Sequence, residues 1–351
     1  MNTVVQARCE RAVPEVGGVK VFTLRAQDAH AGFLSTLQPG RHVAIHYPDT
    51  SGTLQERLYS ITRRQDDDLF EIAVKRSGRS GVSDQLHSTL QEGSMVPLNY
   101  VAGDISLASI VDLEHVGMVA GGIGITLPIA LLRELATRSR SGLRVPEVVL
   151  MLCVPRVVDI PFLHELLELD LTMAWFSLRV FVTRECIQDS GHFMSGRPPA
   201  DALHILKQPQ AVVICGSHAF AQTFRERTAT IFPAARLLIE SFTPPDAPTA
   251  AEIRQGEAAA PLRLRLADSD AVIETTPGKS LLDMLESSGV PVRSQCRAGI
   301  CGSCRVRVSA GDCRFEPDFC LSDDDKEDGY ALACCTFPLS GELTVDLKSA
   351  A

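Results

Sequence analysis

The cysteines near the C-terminus constrain this chain more than anything else in it. Cys296 and Cys301 enclose four residues, Cys301 and Cys304 enclose two, and Cys334 and Cys335 follow after a gap of 29. Thiolates bind soft metals, and their spacing decides which site they can close. Zinc modules use paired short spacings around one tetrahedral ion, which a four-residue first gap and a remote last cysteine fit poorly. The pattern fits an iron–sulfur cluster held by four thiolates. Such a cluster carries net negative charge and needs backbone N–H groups close to its sulfurs, so the loop around it must wrap tightly. Arg297, Ala298, Gly299, Gly302 and Ser303 place small residues and one cation between the ligands. Gly299 and Gly302 tolerate backbone conformations closed to other residues.

The segment that contains them, residues 261–351, has short strand-like runs (LRLRLAD, AVIETT, CRVRVSAG, ELTVDL) and one helical run, KSLLDMLESSG. With the cysteine spacing, this block resembles a plant-type [2Fe–2S] ferredoxin, an α+β (β-grasp) module. The run Ala331-Leu332-Ala333-Cys334 resembles that family's fourth-ligand context. The resemblance therefore implies Cys296, Cys301, Cys304 and Cys334 as metal ligands and leaves Cys335 out. Cys9, Cys153, Cys186, Cys313 and Cys320 are expected to pack as small apolar residues. The acidic run DDDKED at 323–328 reads as a solvated loop.

The 351 residues leave room for two or three domains. Residues 1–108 carry six short β-branched or alternating runs punctuated by Gly, Pro and Asp, which predicts an antiparallel β-barrel or sandwich with one helix near Ser83. In residues 109–243, apolar runs such as 115–121, 148–154, 178–183 and 211–216 alternate with helix-length segments. That alternation predicts an α/β fold with a parallel sheet. Residues 244–260 are rich in Pro, Ala and small polar residues and read as a linker. The net charge of −9 has the wrong sign for a nucleic-acid partner. No run of 18 apolar residues implies a membrane span. The N-terminus shows no secretory signal, so a cytoplasmic location is expected and the eleven cysteines point to metal or redox chemistry before disulfides.

Arg57-Leu58-Tyr59-Ser60 in isolation reads as an ordinary strand. Beside a dinucleotide block and a ferredoxin, it resembles the R-x-Y-S motif of the ferredoxin-reductase superfamily. By that resemblance Arg57 neutralises a flavin phosphate, Tyr59 lies against the flavin ring and Ser60 bonds near its reactive nitrogen. Ala73-Val74-Lys75 ends a strand, and Gly81-Val82-Ser83 opens a helix. Ser83 as N-cap at a positive dipole end suits an anionic phosphate. Gly121-Gly122-Ile123-Gly124-Ile125-Thr126 follows a strand and precedes a helix, and its glycines let a pyrophosphate approach the backbone. It resembles the superfamily's GGxGxTP but has Leu127 before Pro128, which implies a one-residue shift of the helix start. Cys215-Gly216, in the place of the family's CGP, implies a thiol near the nicotinamide. Phe242, by the same resemblance, covers one flavin face. Arg156 with Asp159 nearby is one cation with a neighbouring acid, which favours NADH over NADPH.

The order of flavin barrel, nicotinamide domain and C-terminal ferredoxin resembles the phthalate dioxygenase reductase family along the whole chain. The resemblance implies FMN in preference to FAD, NADH and one [2Fe–2S] cluster. It implies passage of electrons from NADH through flavin and cluster to a partner protein, a Rieske-type terminal oxygenase. Ser60, Cys215 and Phe242 would then stand at the hydride-transfer site. A reductase serving a cytochrome P450 and a non-catalytic redox sensor are the competing readings.

Overall fold

The computed structural model describes residues 4–241, 243–249, 262–267, 269 and 271–347. Most of the residues read as a linker, 250–260, lie outside these. The chain divides into two compact units, one of residues 1–216 with 223–239 and one of residues 217–222 with 240–351.

In the first unit, β1 (Val5–Glu15), β2 (Val19–Gln27), β3 (His42–Pro48), β4 (Leu54–Arg64), β5 (Leu69–Lys75) and β6 (Met95–Ala102) close into an antiparallel barrel, in the order β1-β2-β5-β4-β3-β6. Alternation builds it. Val5, Ala7 and Cys9 of β1 turn inward while Gln6 and Arg8 face water. Phe22, Leu24, Ile45, Ile61, Phe70, Ile72 and Leu98 fill the interior. The sequence shows these six strands but not the one-turn helix α1 (Ala31–Leu34), which is too short to leave a periodic pattern. The His30 ring nitrogen caps it by accepting the Phe33 N–H at 3.2 Å. The helix expected near Ser83 is α2 (Val82–Thr89).

A six-stranded sheet is made of β7 (His115–Gly121), β8 (Glu147–Val154), β9 (Phe176–Val182), β10 (Phe193–Ser195), β11 (Ala211–Gly216) and β12 (Arg236–Ser241), all in the first unit but for Glu240 and Ser241, ordered β10-β9-β8-β7-β11-β12. The ladders from β10 through β11 are parallel. Every residue of β11 is buried, as a strand covered on both faces requires. Helices α3 (Thr126–Arg140), α4 (Leu163–Thr172) and α5 (His218–Ile231) belong to the crossovers. Strand order reverses at β7, with β8 on one side and β11 on the other. The crevice beyond the carboxyl ends of β7 and β11 is therefore a topological switch point, where open α/β sheets take their ligands.

Barrel and sheet are fastened together by Arg133 of α3. Its guanidinium donates to both carboxylate oxygens of Glu165 at 2.8 and 2.7 Å and to the Thr62 carbonyl of β4 at 3.1 Å. Arg63 joins the network, 3.4 Å from Glu165 and 3.6 Å from Glu71. The Arg133 guanidinium also sits 5.1 Å from the centre of the Phe162 ring. Phe162 holds a left-handed φ of 60°, the kind of strain that surrounding structure must offset.

The second unit contains a five-stranded sheet of β13 (Leu262–Leu266), β14 (Val272–Thr275), β15 (Arg305–Phe315), β16 (Tyr330–Leu332) and β17 (Thr336–Asp346), ordered β14-β13-β17-β15-β16. Leu281, Leu282, Met284 and Leu285 of α6 (Leu281–Ser287) are buried in a core shared with Leu264, Val306, Leu343 and Val345. The acidic run read as a loop instead forms α7 (Asp323–Glu327). The Ser322 hydroxyl accepts the Asp325 N–H, and the Asp325 carboxylate accepts the Ser322 N–H, a reciprocal cap that gives a short helix a defined start. Among the described residues, no helix is long and apolar enough to cross a membrane.

Candidate functional site

The cysteine loop curls because three of its residues take positive φ: Arg297 at 54°, Gly299 at 74° and Gly302 at 70°. A Cβ on Gly299 would stand 2.7 Å from the Cys335 sulfur, so only glycine fits there. Arg297 does not serve as a loose counter-charge. Its guanidinium grips Glu286 at 2.7 and 2.5 Å and Asp283 at 3.1 Å, fastening the loop to α6 and holding the strained backbone in place. Inside the curl, the N–H groups of Ala298, Ile300 and Cys301 all point at the Cys296 sulfur at 3.4 Å.

The four thiols fall into two pairs. Cys296 lies against Cys301, and Cys304 against Cys334. Hydrogen bonding from Cys296 pulls the Cys301 thiol down to about 5, with help from Ser303. The same contact, then burial, pushes Cys296 up. The Cys334 contact and burial likewise push Cys304 up. Among the described residues, no three His, Cys, Asp or Glu side chains converge on a single-ion site. Four thiols in two contacting pairs, with three N–H donors aimed at the Cys296 sulfur, would hold a two-iron cluster, which when bound supplies one-electron redox chemistry. Cys335 packs against Gly299, its sulfur 3.7 Å from that of Cys334. Cys9 and Cys153 are buried as expected, but Cys186 and Cys320 are exposed. Both sit in irregular segments where no strand or helix face turns them inward.

In the barrel, Tyr59 is buried on β4 and its hydroxyl meets the Ser83 hydroxyl at 3.0 Å. Burial pushes the phenol up to about 12, so it stays protonated at neutral pH. Ser83 is therefore not the N-cap of α2. That place belongs to Gly81, which has no side chain to offer, while Ser83 and Val82 lie in the first turn. An N-terminus without a side-chain cap leaves backbone donors for an anion. Arg57, on β4 with Tyr59, donates to Gln55 at 2.5 Å and to the Glu56 carbonyl at 2.7 Å. Ser60 points to the other side of the strand, where its buried hydroxyl meets that of Thr126 at 3.1 Å. Ala73 and Val74 are buried near the end of β5, where the Val74 carbonyl accepts from the His87 ring at 2.6 Å, and Lys75 is half-buried.

Sequence reasoning passed over the device that shapes the turn before α2. The buried Asp84 carboxylate accepts from the N–H groups of Ser77, Gly78 and Arg79 at 2.8–3.0 Å and from the Ser77 hydroxyl at 2.6 Å. Against the opposing effect of burial, these donors hold it well below the usual carboxylate range. Ser80 next to it takes a left-handed φ of 60°, and its carbonyl is held by the Thr50 N–H and hydroxyl. The visible signal was an acid in the first helical turn after a Gly- and Ser-rich run.

At the switch point, Gly121 ends β7, Gly122 turns with a φ of 55°, and a 3₁₀ turn over Gly122–Ile125 runs into α3. Helix α3 starts at Thr126, so Leu127 and Pro128 occupy its first turn, where a missing N–H costs nothing. The extra residue is absorbed without a break. Gly124 is packed against the end of β11: a Cβ there would lie 2.1 Å from the Cys215 carbonyl oxygen. Cys215 itself is fully buried. Arg156 forms a two-pronged pair with Asp159 at 2.9 Å on each arm. Glu185, another residue the sequence did not single out, accepts the Val157 N–H at 2.9 Å beside them. Phe242 lies outside the described residues.

A family model described as a 2Fe-2S iron-sulfur cluster binding domain matches residues 264–339. The chain is 24% identical to a glycine betaine monooxygenase reductase subunit of Pseudomonas aeruginosa, across 97% of this chain and 94% of that one. It is 26% identical to phthalate dioxygenase reductase of Burkholderia cepacia, across 93% of each. A solved phthalate dioxygenase reductase structure superposes with a TM-score of 0.63 at 22% identity, covering 98% of both chains, and shares the fold.

Proposed function

The chain belongs to the phthalate dioxygenase reductase family, and from that premise we propose that it is the NADH-dependent reductase of a two-component Rieske-type oxygenase. It is an oxidoreductase that moves electrons from a nicotinamide cofactor through a flavin to a [2Fe–2S] centre. The finer reading gives FMN to the barrel of residues 1–108, NADH to residues 109–243 and the cluster to residues 261–351, with 244–260 as tether. The observation that carries it is the loop with two thiol pairs and three N–H groups aimed at one sulfur.

The bound cofactors supply hydride acceptance and single-electron release; the chain supplies position, charge and exclusion of water. Arg57 and the uncapped start of α2 would neutralise the flavin phosphate, and the turn braced by Asp84 would shape that pocket. Tyr59, held by Ser83, would present a flat neutral ring. The Ser60–Thr126 pair links the barrel wall to the first turn of α3, so the hydroxyls that orient the two coenzymes are mutually fixed. Gly121, Gly122 and Gly124 would admit the nicotinamide coenzyme's pyrophosphate to the backbone, with Cys215 at the crevice wall. Arg156 is already committed to Asp159 with Glu185 beside it. An incoming 2′-phosphate would have to break that pair, which favours NADH.

The 15 acidic and 10 basic residues of 261–351 suit a basic patch on the acceptor, reached by electrostatic steering. The test is reconstitution. The purified protein should show flavin and iron–sulfur absorption, release FMN on denaturation, prefer NADH to NADPH in kcat/KM, and drive oxygen uptake by a Rieske oxygenase more slowly as salt rises. A colourless protein holding zinc would end the proposal.

A further inference from the structure

The cysteine loop rests on a second segment, and that segment is held by a residue remote in sequence from any cysteine ligand. Residues 317–321 lie along the loop. The Phe319 N–H donates to the Gly299 carbonyl at 2.9 Å. A Cβ on Gly299 would come within 3.6 Å of the Pro317 carbonyl oxygen and 3.5 Å of the Asp318 Cα, and one on Gly302 within 3.7 Å of the Cys320 sulfur. Both glycines that curl the loop are thus in contact with this brace. The brace is stiff in itself, because the buried Asp318 carboxylate accepts from the N–H groups of Cys320 and Leu321 at 3.1 and 2.7 Å and pairs with Lys326 at 3.1 Å.

His218, the first residue of α5, holds the brace at Pro317 and Phe319. Residues 217–222 belong to the same compact unit as the loop. The His218 ring is 5% exposed, its backbone N–H donates to the Thr243 hydroxyl at 2.9 Å, and its Nε2 lies 2.8 Å from the Pro317 carbonyl oxygen. A carbonyl only accepts, so Nε2 carries the proton. The ring also packs against Phe319, 5.4 Å between centres at a tilt of 59°. We infer that His218 is a positioning residue for the [2Fe–2S] site: through Pro317 and Phe319 it sets how closely the 297–302 loop wraps the cluster. This rests on the cluster reading above. The potential and retention of such a cluster follow hydrogen bonding to its sulfurs and its exposure to water. The N–H groups of Ala298, Ile300 and Cys301 move with the braced loop, so a residue that touches no ligand still controls both.

The test uses the purified holoprotein and three variants: H218L, which removes the donor; H218Q, which keeps an N–H donor; and F319L, which keeps His218 and removes the ring it packs on. The readouts are the cluster's midpoint potential, followed by the EPR signal of the reduced protein, and the rate of iron release to a chelator. Loss of one buried hydrogen bond predicts release about fivefold faster in H218L, with a displaced potential. H218Q should stay near wild type, and F319L should move in the direction of H218L by less. H218L or F319L matching wild type in both readouts overturns the inference, as does H218Q behaving like H218L. Should H218L not fold, H218Q and F319L decide the matter by the same criteria. Iron and sulfide analysis of the wild type separates the two claims. Absence of both elements removes the cluster reading and this inference with it, whereas a loaded wild type with indifferent variants removes only the inference.

Discussion

Replacing Gly124 with Ala tests whether the crevice at the ends of β7 and β11 is built by close backbone approach. The added Cβ would stand 2.1 Å from the Cys215 carbonyl oxygen, 2.5 Å from its carbon and 2.9 Å from the Gly216 Cα. The first distance is about 1.3 Å short of the 3.4 Å at which ordinary contact begins. All three atoms are backbone, and Cys215 is paired with Ala120 in the parallel ladder, so no flexible side chain can yield. Overpacking of this kind costs about 1–3 kcal/mol, and an immovable neighbour puts G124A near the top of that range. G122A is the control. Its φ of 55° penalises a side chain by about 1–2 kcal/mol, but the nearest neighbour of its Cβ would be the Lys75 ammonium, 4.0 Å away. The single tryptophan, Trp175, lies just before β9 of the same sheet, so its fluorescence during denaturant unfolding reports this unit. G124A should unfold at lower denaturant than G122A and show the larger rise in KM for NADH. If G124A is no less stable than G122A, the close-approach argument fails.

Three further outcomes follow from other contacts. R133M leaves Glu165 and Glu71 to the longer contacts of Arg63 and should cost about 2 kcal/mol by the same fluorescence assay; adding E165L should recover part of that loss, and full additivity of the two changes would count against a coupled pair. C334S should abolish iron–sulfur absorption whereas C335S retains it; the reverse pattern would move the fourth ligand to Cys335. Asp84 has a folded pKa depressed below the ordinary 3.8, so its contribution is complete above that value and lost as pH falls through the lower folded value. Thermal melts from pH 6 downward should therefore show wild type losing its advantage over D84N only in strong acid, and an advantage gone by pH 5 would refute the assignment.

The strands of the barrel and the parallel sheet were legible because burial writes itself into side-chain pattern. A strand covered on both faces, such as 211–216, is apolar throughout, and a half-covered one alternates. The iron–sulfur module was legible because a metal site needs particular atoms at particular spacings. What stayed hidden depends on backbone geometry or on partners distant in sequence. Ser83 has the composition of an N-cap, yet the turn braced by Asp84 puts Gly81 in that place and leaves Ser83 for Tyr59. The acid-rich run at 323–328 resembles any solvated loop until Ser322 and Asp325 are seen to cap each other. Arg297 reads only as one cation between the cysteines, but Glu286 and Asp283, more than ten residues away, decide that it is an anchor.

These hidden features share a cause. When cofactors carry the reaction, the chain has little use for side-chain acids and bases and must instead place backbone. Gly124 against Cys215, Gly299 against Cys335, the left-handed Ser80 and the left-handed Arg297 are all solutions to that one problem. Ser80 and Arg297, two of the strained non-glycine residues, are each over-determined by neighbours: Thr50 holds the carbonyl of Ser80, and α6 holds the guanidinium of Arg297. Strain of about 1–3 kcal/mol per residue persists only where such contacts offset it. Both positions flank sites where an anionic group is expected, a phosphate in one case and a cluster in the other. A backbone bent against its preference turns successive N–H groups toward one point, which is what either anion requires and what no single side chain in these loops supplies.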